Sequence, residues 1–153
     1  MSLNSEIKTI ISSLEPETIY LRAATLNEAN VSLPRIELTN PIAIHAALPS
    51  INNTQTLANV TRLIPVEVLF LKKNTTQDDT GEQIDAILAE MLVLADQFFD
   101  KLSRSSLLDP TQEIEEYTLD AVPGYQFSDE ILTGWHLQLE FPEMRKVYYC
   151  PDA

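Results

Sequence analysis

The stretch Arg62–Lys73, RLIPVEVLFLKK, decides the fold. Its side chains alternate: Ile64, Val66, Val68 and Phe70 fall on one side, and Leu63, Leu69 and Leu71 fall on the other with Glu67. A period of two is the mark of a strand, here over 62–72. Apolar groups on both sides predict a strand covered on both faces, central in a sheet or packed against a partner. Lys72 and Lys73 close it.

Downstream, the period changes to that of a helix. Ile84, Ile87, Leu88, Met91, Leu94, Ala95, Phe98 and Leu102 form a broad apolar stripe over about 80–104. Asp79 with Glu82, and Thr80 with Gln83, each offer a capping box. Acids at the start (Asp78, Asp79, Glu82, Asp85) and Lys101 and Arg104 at the end complement the helix dipole. A strand is expected at 113–122, with Ile114 or Tyr117 and Leu119 inward, then a turn at Pro123-Gly124. A last strand at 132–141 puts Trp135, Leu137, Leu139 and Phe141 on one face and His136, Gln138 and Glu140 on the other.

Upstream, Ile7, Ile10, Ile11 and Leu14 line one face of a short helix over 4–15, capped by Asn4 or Ser5 and stopped by Pro16. A strand at 18–24 sets Ile19, Leu21 and Ala23 against Tyr20 and Arg22. Residues 26–33 read as a polar loop. Arg35–Leu48 alternates with period two, interrupted by Pro41, which marks a bulge, an edge or a break. The uncharged, Asn- and Thr-rich run 49–59 predicts a protruding hairpin loop. The order gives an α+β fold: a mainly antiparallel sheet of four to six strands, packed by the long helix and the short N-terminal one. Residues 1–153 form a single domain, with a flexible or partner-contacting tail over 143–153.

The 153 residues carry 10 Lys and Arg against 23 Asp and Glu, a net charge of −13. Such a surface repels phosphate, which argues against a conventional nucleic-acid module and against a protein held by anionic lipid. No apolar run reaches the roughly 18 residues needed to span a bilayer, and Met1–Ser5 lacks a secretory pattern. A soluble intracellular protein is expected. Its Asn-x-Ser/Thr triplets at Asn30, Asn52, Asn59 and Asn74 are read as polar loop composition.

Catalytic chemistry finds little footing. His45, His136 and Cys150 are the only candidates for a nucleophile and its base, and Cys150 lies three residues from the C-terminus. His136-x-Gln138-x-Glu140 lacks the further ligands that a metal site needs. Asn74–Glu82 lacks the spacing of a calcium loop, and the glycines form no phosphate cradle. Neither a cofactor nor a metal is expected, and the chain is not read as an enzyme.

Charge is more informative. Between Arg104 and Arg145 stand Asp109, Glu113, Glu115, Glu116, Asp120, Asp129, Glu130, Glu140 and Glu143, with no Lys or Arg. This run reads either as a solvated face or as a surface that repels polyanions or meets a basic partner. The apolar second face of the central strand, with Trp135, Tyr148 and Tyr149, points to an interface.

The run VEVLFLKKNTTQDDTGEQIDAILAEMLVLADQFFDKL (Val66–Leu102), followed by a strand and ILTGWHLQLEFP (Ile131–Pro142), resembles small virion proteins of tailed phages and related prophages. Element order and size are similar to those of tail-terminator and tail-completion proteins. The resemblance implies a ring-forming neck component, commonly a hexamer, that caps the tail tube and joins it to the head. Its partners would be further copies of itself, the tube protein and head-side connectors, with DNA as a repelled cargo and no membrane. It would reside in the virion, and in host cytoplasm during assembly. Glu113, Glu115, Glu116 and Asp120 are then candidates for an acidic lumen, and Ile51, Asn52, Asn53, Trp135, Tyr148 and Tyr149 for subunit contacts. The rival readings are a small acidic protein-binding adaptor and an α+β enzyme using carboxylates with His136.

Overall fold

A computed structural model describes residues 2–23, 40–46, 52–55, 59–74, 81–127 and 130–146. The elements are α1 (Leu3–Ser12), β1 (Ile19–Arg22), β2 (Ile42–His45), β3 (Asn52–Gln55), β4 (Asn59–Lys73), α2 (Gly81–Ser103), β5 (Tyr117–Phe127) and β6 (Glu130–Lys146). They build one six-stranded sheet. Five strands run in the order β1-β2-β4-β6-β5, and β3 pairs with β4. The β1–β2 pair is parallel and the others are antiparallel. This is the expected α+β class.

The central strand is longer than its apolar stretch. β4 spans 15 residues, pairing with β6 from Asn59↔Lys146 to Lys73↔Leu132. On its other edge β3 pairs with Val60–Leu63 and β2 with Val68–Leu71. Pro65 falls in the interval between them, where its missing N–H breaks no ladder.

The two sides of β4 lead to two cores. Val66, Val68 and Phe70 join Leu137, Leu139, Phe141 and the apolar sides of α1 and α2. In α2 these are Ile87, Met91, Leu94, Ala95, Phe98 and Leu102, the expected stripe. Phe70 and Phe98 meet at 5.5 Å between centroids, tilted by 57°, a geometry that suits aromatic quadrupoles. Trp135 locks the layer by donating its indole N–H to Leu88 O at 2.7 Å, and Lys72 binds Glu90 at 2.5 Å. On the opposite face Leu69 and Leu71 cluster with Ile42, Ile44, Ala23, Ala46 and Leu132.

Several local expectations change. Ser2, not Asn4 or Ser5, caps α1, accepting from Ser5 N at 3.2 Å. Part of the expected loop 49–59 is strand, because Asn52–Gln55 finds the free edge of β4. Residues 113–116 precede β5 instead of opening it. Pro123-Gly124 lies inside β5, where the register with β6 shifts between Val122 and Tyr125. A bulge and a turn draw on the same residue types, and the hairpin reverses between Phe127 and Glu130 instead. Glu143–Lys146, expected to begin a tail, are the last residues of β6. The expected loop 26–33, strand residues 35–39, the capping residues Asp78, Asp79 and Thr80, and the tail from Val147 onward lie outside the described residues.

Gly134 sits opposite Leu71 at the level of the β5 bulge. A Cβ there would lie 1.7 Å from Phe70 O and 2.7 Å from Phe70 C, so the backbone approach requires glycine. Gly134→Ala is expected to lower the unfolding free energy by more than about 3 kcal/mol, the upper end of ordinary overpacking. Urea denaturation checks this; a change within about 0.5 kcal/mol, typical of a neutral surface site, contradicts this packing of β4 against β6.

Candidate functional site

The sheet face opposite the helices changes character along its width. Over β2 and the C-terminal half of β4 it is apolar and buried, with Ile19 and Leu21 of β1 half-buried beside it. Over β5 and β6 it is polar. The pairs Thr118↔Gln138 and Asp120↔His136 share this face, and Glu140 continues it along β6. Thr118, Asp120, Gln138 and Glu140 are exposed. From β4, Glu67 reaches diagonally to His136, with Oε1 2.5 Å from Nε2. The lone carboxylate of the central strand and the histidine of the expected polar trio thus satisfy each other. The alternation located both residues, but only the strand register brings them together.

At one end of this face, β5 and β6 part company. Their ladder stops at Tyr117↔Leu139, and the preceding residues leave the β6 edge. The chain returns further along at an isolated bridge, Leu108↔Glu143, with Asp109 N donating to Pro142 O at 2.9 Å. The gap is a half-open groove of about 430 Å³. Leu63, Leu139 and Pro142 give it apolar walls, while Glu113, Glu115, Glu116 and Glu140 give it carboxylates. These four form no ion pair among the described residues. Three of the four lumen candidates therefore line one groove, and Asp120 stands on the adjoining face. Leu63 and Pro142, which complete the groove, carried no functional signal in the sequence.

Asp109, first of the acidic run, has a different job. It is buried, and its Oδ1 accepts from Thr111 N at 2.9 Å and Thr111 Oγ1 at 2.7 Å. It holds the turn that lets the chain bridge β6, as Asx turns do.

The remaining candidates are dispersed. Asn52 and Asn53 stand in β3, Trp135 is engaged with α2, and Ile51, Tyr148, Tyr149 and Cys150 lie outside the described residues. Asn74 Oδ1 accepts from the buried Thr133 Oγ1 at 2.6 Å. Among the described residues no group of three or more His, Cys, Asp and Glu is placed to hold a metal ion, and no helix is long and apolar enough to cross a membrane. No family model matches the chain, and no curated protein matches it.

His45 lies on the helix-covered face, away from the groove. Its Nδ1 is 3.1 Å from Tyr20 Oη, and Arg22 Nη1 donates to His45 O at 2.9 Å. Burial, and secondarily the Arg22 charge, lower the His45 pKa to about 4. Burial raises that of Tyr20 against the opposing pull of Arg22. A neutral imidazole and a protonated phenol thus share one hydrogen bond near neutrality.

This pair has a consequence for stability. An unfolded chain protonates His45 near 6.5, whereas the folded one holds it neutral down to about 4. Between those values the unfolded state binds more protons, so acidification destabilises the fold. The effect is absent above pH 6.5, grows as pH falls and levels off below the folded pKa. At about 1.4 kcal/mol per pKa unit it reaches about 3 kcal/mol. His45→Gln is expected to remove this component, so that the stability advantage of the wild type over the variant narrows between pH 7 and 4. Denaturant melts across that range check it; a constant difference contradicts it.

Proposed function

We propose that the protein is a ring-forming structural component of a tailed-phage particle, a tail terminator or neck protein. The observation that carries this reading is the division of the sheet into a helix-covered face and an opposite face that is open and acidic over β5 and β6. Asp120, Glu140 and the Glu67–His136 pair stand on that open face. The facing stretches Tyr117–Val122 and Trp135–Glu140 contain no Lys or Arg.

The physical logic is electrostatic. A conduit for DNA works when its wall does not bind the phosphates, because each Lys or Arg that displaced counterions would hold the genome in place. A wall of fixed carboxylates supplies a repulsive field and leaves the duplex free to slide. In this reading the β5–β6 face borders the bore, α1 and α2 form the outer layer, and Glu113, Glu115 and Glu116 stand at the margin of the bore face. Wide separation of the chain's histidines favours assembly over catalysis: His45 is bound to Tyr20 under the helices and His136 to Glu67 on the open face.

Native mass spectrometry of the purified protein, from micromolar concentration upward and at two ionic strengths, tests the reading. A discrete closed species, with the hexamer as the expected form, supports it. A monomer throughout, which also fails to bind purified tail tubes, contradicts it.

A further inference from the structure

Among the described residues β5 is an edge of the sheet: β6 holds its inner side and no strand holds its outer side. Tyr117, Thr118, Asp120 and Ala121 are exposed. Edge strands are commonly shielded by Lys, Pro or a bulge. From Tyr117 to Val122 there is neither Lys nor Pro, and the bulge comes only after Val122.

Two hydrogen bonds near the ends of β6 fix the direction of the peptide groups. Pro142 O accepts from Asp109 N on the β5 side, and Ile131 O accepts from Asn74 N on the β4 side. Peptide groups alternate in direction along a strand, so His136 and Gln138 turn theirs toward β5. Their partners Asp120 and Thr118 turn back toward β6. Tyr117, Leu119 and Ala121 therefore direct their N–H and C=O groups outward. Their side chains lie on the helix-covered side, where Tyr117 stacks on Phe99 at 4.1 Å between ring centroids. Leu119 and Phe99 are only partly buried against the main core there, so both the backbone and the core stand open at this edge.

We propose that the outer edge of β5 pairs with β5 of a second copy of this chain, antiparallel about a twofold axis at Leu119. The strand complements itself in this register. Leu119 meets the partner's Leu119, and the two exchange both backbone hydrogen bonds. Tyr117 meets the partner's Ala121, a ring against a methyl group, which leaves the ring room. On the open face Thr118 meets the partner's Asp120, a hydroxyl donor against a carboxylate. Charge selects the register. An axis at Asp120 would set two carboxylates directly opposite, and an axis at Thr118 would oppose Asp120 to the partner's Glu116, both destabilising. With the axis at Leu119 the two Asp120 carboxylates stand diagonally, about 7–8 Å apart, where salt screens them. The contact is isologous. It goes beyond the ring reading and does not depend on it.

Sedimentation velocity and amide hydrogen exchange test the pairing in the intact chain. The wild type is expected to form a dimer or a larger even-numbered species. On dilution through its dissociation range, the amides of Tyr117, Leu119 and Ala121 are expected to lose protection, while those of Thr118 and Asp120 keep theirs from β6. Thr118→Asp, at an exposed position, sets like charges opposite each other and is expected to weaken association at least tenfold. Thr118→Lys places a cation opposite the partner's Asp120 and is expected to strengthen it; thermal melts confirm that both variants fold. A wild type that stays monomeric at the highest soluble concentration overturns the proposal. So does association in which the three outward amides gain no protection, or which both Thr118 variants leave unchanged.

Discussion

The antiparallel ribbon of β4 and β6 sets the geometry of this molecule. It runs unbroken from Asn59↔Lys146 to Lys73↔Leu132, and β2, β3 and β5 attach along its two edges. Its close approach at Leu71↔Gly134, where Phe70 O occupies the space of a side chain, fixes which residues face the helices. A one-residue slip would carry Val66, Val68 and Phe70 to the other face and expose the layer built on Phe98. The ribbon is also longer than any partner strand. Where β5 stops short of it, a groove opens, and beyond that groove the Leu108↔Glu143 bridge and β3 flank its two edges.

From this constraint follows the asymmetry of the sheet. The face under α1 and α2 is filled with aromatic and aliphatic groups, whereas the opposite face passes from an apolar cluster to an acid-bearing surface across the width of one sheet. Among the described residues Glu113, Glu115, Glu116 and Glu140 form no ion pair, and like charges repel. That arrangement suits a surface that faces a polyanion it must not bind.

How far the sequence foretold this depends on the kind of signal. Periodicity found β4, α2 and the inward face of β6 because Val66–Leu71, Ile87–Leu102 and Leu137–Phe141 are apolar at fixed spacing. It missed the ends of the ribbon, since Asn59–Thr61 and Glu143–Lys146 carry only Val60 and Met144 as apolar residues, too few to show a period, and pair because a partner strand is present. β3 was hidden for the same reason: Asn52–Gln55 has no apolar face of its own, and the open edge of β4 makes it a strand. Pro123-Gly124 looked like a turn because a bulge uses the same residues. The acids between Arg104 and Arg145 were plain as a run of charge. That Glu113, Glu115 and Glu116 share a groove with Glu140, while Asp109 ties down a turn, depends on strand register and on a bridge across many residues, which local patterns do not encode.

The most direct test of this account is the orientation of the subunit in the assembled particle, determined by electron cryomicroscopy of the purified ring or of the ring on its tail tube. The expected result is a closed ring with the β5–β6 face, marked by Asp120 and Glu140, toward the bore and α2 on the outside. A ring in which α2 lines the bore and the acidic face points to solvent would contradict it.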